Sequence, residues 1–161
     1  MSDRKEPMTP QGHEKLVKEL EHLKFVERPA NIKAIEEARA LGDLSENAEY
    51  QYAKDEQGMI AGKLARCEDL LARAEIIDPT KFEGPQIVFG ASVKVADQES
   101  GEELTYRLLG SYEADVKLGS ISIESPIGKA LIGRSEGDEV RVRTPKGERN
   151  FVILEVSYPS A

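Results

Sequence analysis

The sequence predicts an α+β protein in which an N-terminal antiparallel α-helical hairpin (coiled coil) precedes a compact, mostly antiparallel β-sheet domain with one short helix. Helix formers with apolar residues at helical spacing dominate residues 1–78. A turn-like stretch, LGDLSENAEY at 41–50, interrupts them. Short β-like runs bounded by Gly, Asp, Asn or Pro begin after Pro79. We therefore predict two domains, residues 1–78 and 79–161.

The first arm of the predicted hairpin begins at Thr9 and Pro10, because Thr is a good N-cap and Pro is well tolerated at the first helical position. Pro29 lies inside this helical run and removes one backbone hydrogen bond, which predicts a kink or local break. The apolar stripe of the arm, on both sides of that break, comprises Leu16, Leu20, Leu23, Ile32, Ile35 and Ala38.

The second arm carries apolar residues in alternating steps of four and three, the spacing of a coiled-coil seam. These residues are Ile60, Leu64, Cys67, Leu71 and Ala74. Towards the turn the same positions become less apolar, at Ala53, Tyr50 and Glu46. Gly42 follows the first helical pattern and is a helix-stop signal. The pattern indicates two helices joined by a short turn, with an apolar base and a polar tip.

The second half of the chain predicts six strands around one short helix. The helix has Ser125 as N-cap, Pro126 at the first position and Gly133 after its end. The strands are predicted at residues 87–89, 91–95, 104–109, 121–123, 139–143 and 150–156.

Charge and composition exclude several kinds of protein. With 22 Lys and Arg against 30 Asp and Glu, the net charge of −8 argues against binding to nucleic acid or membrane by bulk charge. The single cysteine, Cys67, excludes an internal disulfide and fits a reducing compartment, where a packed thiol is favoured over a nucleophile. The sequence shows neither a signal peptide nor a long apolar run, so we expect a cytoplasmic protein with no membrane partner.

The turn offers two carboxylates, Asp43 and Glu46, for which two interpretations stay open. If the second helix begins at Leu44, their spacing is that of a capping box. Alternatively they are metal ligands, because Mg²⁺ typically takes one or two carboxylates and completes its shell with water and phosphate. Two carboxylates on a turn cannot enclose a metal, but they can complete a site that another molecule supplies. No phosphate-binding loop or catalytic triad is visible, so a self-sufficient enzyme is disfavoured.

Four motifs in order along the chain resemble those of the bacterial Gre transcript-cleavage factors, and within that family the GreA type. They open the first helix, form the turn and lie near the end of the chain. The motifs are MTPQGHEKLVKEL at 8–20, LGDLSENAEY at 41–50, ISIESPIGKALIG at 121–133 and RTPKGE at 143–148.

This resemblance implies a transcription elongation factor that binds bacterial RNA polymerase and inserts its hairpin tip into the secondary channel. There it would stimulate the polymerase's own cleavage of the 3′ end of a backtracked transcript. The resemblance makes Asp43 and Glu46 the catalytic residues and the ligands of a Mg²⁺ shared with the polymerase active site. It implies no cofactor for the free protein and an FKBP-like C-terminal domain.

The same resemblance extends to residues outside the acidic pair. Arg39, Lys54 and Tyr50 match positions that face the nascent RNA 3′ end, and Ser125 and Pro126 match the segment that docks on the polymerase. Each also has an ordinary structural role. Tyr50 suits packing between the helix ends, the two cations suit a solvated face, and Ser125 with Pro126 suits a helix start.

Two other functions stay open at this point. One is a channel-binding regulator of RNA polymerase that does not stimulate cleavage, and the other is a free-standing metal-dependent phosphoesterase. Related inhibitory channel binders carry altered tips, whereas Asp43 and Glu46 match the cleaving type. A phosphoesterase would need more ligands than the tip offers.

Overall fold

A computed structural model describes residues 4–43 and 46–160, which contain helices followed by a sheet. The elements are β1 (Glu6–Met8), α1 (Pro10–His22), a π-helical turn (Leu23–Glu27), α2 (Arg28–Arg39), α3 (Ala48–Arg73), β2 (Ala74–Ile76), a 3₁₀ turn (Pro79–Lys81), β3 (Ser92–Asp97), β4 (Glu103–Leu109), a second 3₁₀ turn (Val116–Leu118), β5 (Ser120–Ser122), α4 (Pro126–Leu131), β6 (Glu139–Thr144) and β7 (Gly147–Ser157). The predicted fold class, a helical hairpin followed by a mostly antiparallel sheet, is confirmed.

The hairpin packs α1, the π-helical turn and α2 as one arm against α3 as the other. Small and aliphatic side chains fill the seam, and the amide of Asn31 donates to the carbonyl of Ala53 at 2.9 Å across it. The buried seam residues are Leu16, Leu23, Asn31, Ile35, Ala38, Ala53, Ile60, Leu64, Cys67 and Leu70.

The predicted break near Pro29 is confirmed as the π-helical turn that directly precedes α2. Pro29 has no N–H to donate, and its ring would clash with the carbonyl four residues earlier in a regular helix. In the π-helical turn the N–H of Arg28 donates five residues back, to the carbonyl of Leu23. The wider turn therefore relieves the clash while the arm continues.

Parts of the predicted seam are wrong. Ile32 is exposed, and the polar Asn31 takes the buried position beside it because its amide has a carbonyl partner across the seam. Near the base, Leu70 is buried where Leu71 was predicted. Ala74 does not continue the helix, since it begins β2.

The second half forms a five-stranded sheet in the order β5-β4-β3-β7-β6. The β4–β5 pair is parallel and the other pairs are antiparallel, with a bulge on β3 between Lys94 and Val95. Strand alternation places one face in a core with α4 against it. The fully buried core residues of this half include Ile87, Val93, Val95, Leu108, Leu131, Val142, Phe151 and Ile153.

The strand predicted at residues 87–89 is wrong, although Ile87 is fully buried. Its N–H donates to the carbonyl of Arg134 at 2.7 Å, and the N–H of Val88 donates to the hydroxyl of Tyr158 at 3.0 Å. Loop and side-chain partners therefore satisfy this backbone in place of a strand ladder. The other five predicted strands are found, with ends shifted by a few residues.

Two short strands were missed, β1 and β2, which pair in parallel. Chain contacts divide the protein into a hairpin unit, His13–Arg73, and a second unit made of the described residues before and after it. The residues preceding His13 join the second unit because β1 pairs with β2. The domain boundary predicted between residues 78 and 79 stays a prediction.

The start of α1 is held by a hydrogen-bonded cluster around Thr9. As predicted, its hydroxyl caps the helix by accepting from the N–H of Gly12 at 3.0 Å. The carboxylate of Glu113 accepts from both the N–H and the hydroxyl of Thr9, each at 2.6 Å. A side chain at Gly12 would overlap that carboxylate, so a larger residue there would displace Glu113 from Thr9. Within the described residues, no helix is long and apolar enough to cross a bilayer.

Candidate functional site at the hairpin tip

The turn between α2 and α3 exposes two acidic side chains. Arg39 is the last residue of α2, and Gly42 adopts a φ of 122°, a left-handed value that favours glycine. Asp43 and Glu46 are both exposed, and neither lies in a helix. Leu44 and Ser45 lie outside the described residues. The structure thus places both predicted carboxylates on the connection at the end of the hairpin.

The capping-box interpretation of Asp43 and Glu46 depended on a helix start that the structure does not show. It required a helix starting at Leu44, a residue outside the described ones, but Glu46 lies in a bend and α3 begins only at Ala48. The residue that caps the helix is Asn47, whose side-chain oxygen accepts from the N–H of Tyr50 at 3.0 Å.

Asn47 also joins the two arms, because its amide nitrogen donates to the carbonyl of Ala38 at 2.6 Å. One side chain therefore caps α3 and satisfies a carbonyl in the last turn of α2. Our sequence reasoning missed this residue by assigning the cap to the acidic pair. The signal was present, since Asn is among the strongest N-cap residues.

We expect Asn47→Ala to lower the free energy of unfolding by about 1–2 kcal/mol, because it removes a helix cap and the hydrogen bond that joins the cap to the carbonyl of Ala38 on α2. Thermal unfolding followed by circular dichroism measures the change. Asn47→Asp is the matched variant, since it keeps an acceptor for the N–H of Tyr50 but loses the donor to Ala38. An Asn47→Ala variant as stable as the wild type would show that neither bond supports the tip.

The seam between α2 and α3 is flanked by two grooves of opposite charge. The first, here the acidic groove, has a volume of about 580 Å³. It is lined by Ala34, Glu37, Ala38, Leu41, Ala48, Glu49, Tyr52, Ala53 and Glu56. The second, here the basic groove, has a volume of about 490 Å³. It is lined by Arg28, Asn31, Ile32, Lys54, Gln57, Gly58, Ile60, Ala61 and Leu64.

The predicted transcript-contacting residues share the side of the hairpin that holds the basic groove. Lys54 lines the groove and donates to the side chain of Gln57 at 2.9 Å. Tyr50 lies one turn before Lys54 on α3, and Arg39 lies two turns after the groove residue Ile32 on α2, so helical periodicity puts them on the same face. Tyr50 is half-buried, whereas Arg39 and Lys54 are exposed.

The bonds across the seam also set the height of these residues along the hairpin. Asn31 of α2 lies opposite Ala53 of α3. Seven residues further along α2, Ala38 lies opposite Asn47, the residue before α3. Lys54 is therefore level with a point on α2 about eight residues before Arg39, and at 1.5 Å per residue it lies roughly 12 Å further from the tip. Arg39 and Lys54 therefore lie one behind the other along one face of the hairpin, at different distances from the tip.

The predicted docking residues Ser125 and Pro126 begin α4. The hydroxyl of Ser125 accepts from the N–H of Gly128 at 3.1 Å and donates to the carbonyl of Ser122 at 2.6 Å. Pro126 occupies the first turn and is exposed. The predicted helix start is confirmed. This structural role leaves the pyrrolidine ring at the surface, where a partner can contact it.

Away from the tip, Cys67 is buried in the seam, as predicted. Burial raises the pKa of its thiol, and the nearby Glu19 carboxylate raises it further. The thiol is therefore neutral near pH 7 and poorly nucleophilic. Among the described residues, no three His, Cys, Asp or Glu side chains come together as a possible metal cluster.

Two family models match the two halves of this chain. Residues 6–76 match "Transcription elongation factor, N-terminal", and residues 83–158 match "Transcription elongation factor, GreA/GreB, C-term". The chain belongs to the GreA/GreB family of transcription elongation factors, which act on RNA polymerase.

Two relatives found by sequence agree with this assignment. Transcription elongation factor GreA of Anaeromyxobacter sp. (strain K) is 55% identical, over 94% of this chain and 92% of its own length. Transcription elongation factor GreA of Caulobacter vibrioides (strain NA1000 / CB15N) is 52% identical, over 96% and 98%. A crystal structure of GreA factor homolog 1 from Thermus thermophilus is 32% identical over 96% and 99%, with a TM-score of 0.44.

Proposed function

We propose that this elongation factor inserts its hairpin tip into the secondary channel of RNA polymerase and stimulates cleavage of the 3′ end of backtracked transcripts. The polymerase supplies the nuclease centre, and the factor supplies two carboxylates. The observation that carries this proposal is the exposure of both Asp43 and Glu46 on the connection between α2 and α3, at the end of the hairpin.

The donor set at the tip fits a shared Mg²⁺. This ion prefers oxygen ligands and is held by one or two carboxylates together with waters and substrate phosphates. Asp43 and Glu46 would hold it jointly with ligands of the polymerase active site. The chemistry supplied there by the bound ion is activation of a water molecule and neutralisation of the charge that develops at phosphorus.

The residues of this chain have three tasks in the proposed complex. The two carboxylates add negative charge and acceptor oxygens at the reacting phosphate, where they orient the attacking water. Asn47 fixes the turn that presents them, because it is bonded to both arms. Arg39, Tyr50 and Lys54 lie along one face, where cations and a ring suit contact with the phosphates and bases of the RNA 3′ end.

The test uses stalled, backtracked elongation complexes with labelled RNA, incubated with and without the full chain and with and without Mg²⁺. The proposal expects cleavage that depends on both additions and on the polymerase. Binding to the complexes without any cleavage would instead identify a channel-binding regulator. Cleavage of free RNA by the chain alone would identify a phosphoesterase.

We expect the double variant Arg39→Ala, Lys54→Ala to cleave backtracked RNA more slowly at low salt than the wild type. Exposed cations acting on phosphates lose strength as the Debye length shrinks from about 10 Å at 0.1 M to about 3 Å at 1 M salt. The advantage of the wild type should therefore narrow as salt rises, within the range where polymerase binding persists.

The matched control for this pair is Lys15→Ala, Lys18→Ala, which removes the same charge from exposed positions near the start of α1. It should leave the cleavage rate unchanged. If Arg39 and Lys54 only balance neighbouring carboxylates, both double variants will cleave at the wild-type rate at low salt.

A further inference from the structure

The acidic groove on the hairpin lies on the side opposite the proposed RNA-facing residues. Three carboxylates, Glu37, Glu49 and Glu56, line it, and no Lys or Arg is among its described lining residues. On an exposed part of α2, the ammonium of Lys33 lies 3.8 Å from the carboxylate of Glu37. The basic groove has the opposite composition, with Arg28 and Lys54 and no carboxylate among its described lining residues.

The floor and one wall of the acidic groove are apolar. Four alanines from α2 and α3 line it, and their small side chains open the space between the arms. At its edges the large side chains of Leu41 and Tyr52 are exposed by 65% and 73%. Leu41 lies two residues after the end of α2 and Tyr52 lies in the first two turns of α3, so the groove lies beside the acidic turn.

These two properties together restrict the occupant. Three carboxylates against one exposed lysine leave a net negative charge that repels phosphate, so this groove is unsuited to the RNA backbone. An apolar floor with exposed Leu and Tyr is suited to an apolar side chain, and a carboxylate rim is suited to neighbouring Lys or Arg. Aromatic residues such as Tyr52 are also frequent anchors of protein interfaces.

We propose that the acidic groove docks on the protein wall of RNA polymerase, where it takes an apolar side chain flanked by Lys or Arg. The inference rests on the proposed function, in which this part of the hairpin is enclosed by the polymerase. It assigns the two sides of one hairpin to different contacts: the basic groove faces the transcript and the acidic groove faces protein. The acidic groove would then position the tip for cleavage.

The test measures the affinity of the full chain for core RNA polymerase without nucleic acid, by competition with a labelled wild-type chain. The variant Leu41→Ala, Tyr52→Ala removes the exposed apolar contacts, and Phe25→Ala, Met59→Ala, at exposed hairpin positions that line neither groove, is the matched control. We expect the double variant to bind about tenfold more weakly, the scale of losing an interface anchor, and the control to bind normally.

A second variant, Glu37→Gln, Glu49→Gln, Glu56→Gln, tests the rim without changing side-chain size. It should also bind core polymerase more weakly at low salt, with a difference that shrinks as salt rises. Circular dichroism melting of each variant checks the fold. Wild-type affinity in both groove variants would overturn the inference. An effect seen only when RNA is present would overturn it as well, because the groove would then contact the transcript.

Two further measurements keep the outcomes distinct. Sedimentation of the free chain tests whether a second copy fills the groove. A dimer that the variant Leu41→Ala, Tyr52→Ala dissociates would overturn the assignment of the groove to polymerase.

Cleavage by variants of Asp43 and Glu46 tests the proposed function separately. If those variants fail to cleave while the groove variants bind normally, only the groove inference fails. If they still cleave, the proposed function fails instead.

Discussion

Replacing Asp43 by Asn and Glu46 by Gln is expected to abolish cleavage stimulation while leaving polymerase binding intact. The substitutions keep the size of both side chains but remove the negative charge that suits them to hold a shared Mg²⁺. Loss of groups that act at a metal centre typically costs 10- to 100-fold or more in activity, so we expect at least about a 100-fold lower cleavage rate. The measurement is single-turnover cleavage of labelled RNA in backtracked complexes.

The control for this variant is Asp55→Asn, which removes one negative charge from an exposed position on α3 outside both grooves. It should cleave at the wild-type rate. Thermal stability should change little in the Asp43→Asn, Glu46→Gln variant, because Asn47 is the cap of α3. Weaker binding to polymerase in this variant would mean that the acidic pair docks the protein.

Gly128→Ala is expected to have the largest effect on stability in the second unit. Gly128 is buried in α4, and an added methyl group would overlap the carbonyl oxygen of Ser122 and lie 2.9 Å from the Cα of Ile123. Both neighbours are backbone atoms, so no side-chain rotation relieves the contact. Overpacking typically costs about 1–3 kcal/mol, and we expect the upper end of that range or more.

The matched control is Gly62→Ala on α3, where an added methyl group meets no atom within 4 Å. This change should stabilise the hairpin by about 0.5–1 kcal/mol, because Ala is the better helix former. Thermal unfolding by circular dichroism compares the two variants. Since α4 starts with Ser125 and Pro126, Gly128→Ala should also weaken polymerase binding if that segment docks. A Gly128→Ala variant that melts at the wild-type temperature would show that α4 does not pack closely against the backbone of Ser122 and Ile123.

Much of the fold was predictable because it depends on local interactions. A Thr or Ser before Pro marks a helix start in any context, and both predicted starts, at Thr9 and Ser125, are found. Alternating apolar residues predicted five of the strands, but the pairing register of the strands and their order in the sheet could not be predicted from the sequence. Pro29 predicted a break, since its missing N–H is a covalent property. The π-helical form of that break was not predictable.

The acidic pair at the tip was also identifiable from the sequence, but its structural role was not. A spacing of three residues suits a capping box only if a helix begins at the right place, and here α3 begins after Asn47. The choice between Asp43 and Asn47 as cap depends on which one reaches both arms. That contact, to the carbonyl of Ala38, joins residues that are distant in sequence.

The sequence by itself determined the helical hairpin, the acidic turn and the strands of the second half, because periodicity and capping are local. Only the tertiary structure decided that Asn31 belongs in the seam, that β1 pairs with β2 and that the hairpin has an acidic and a basic groove. A buried amide is tolerated only where a partner carbonyl lies opposite, and a groove exists only where two helices pack at a given register. Both conditions depend on neighbours that folding brings together, and no single stretch of sequence contains them.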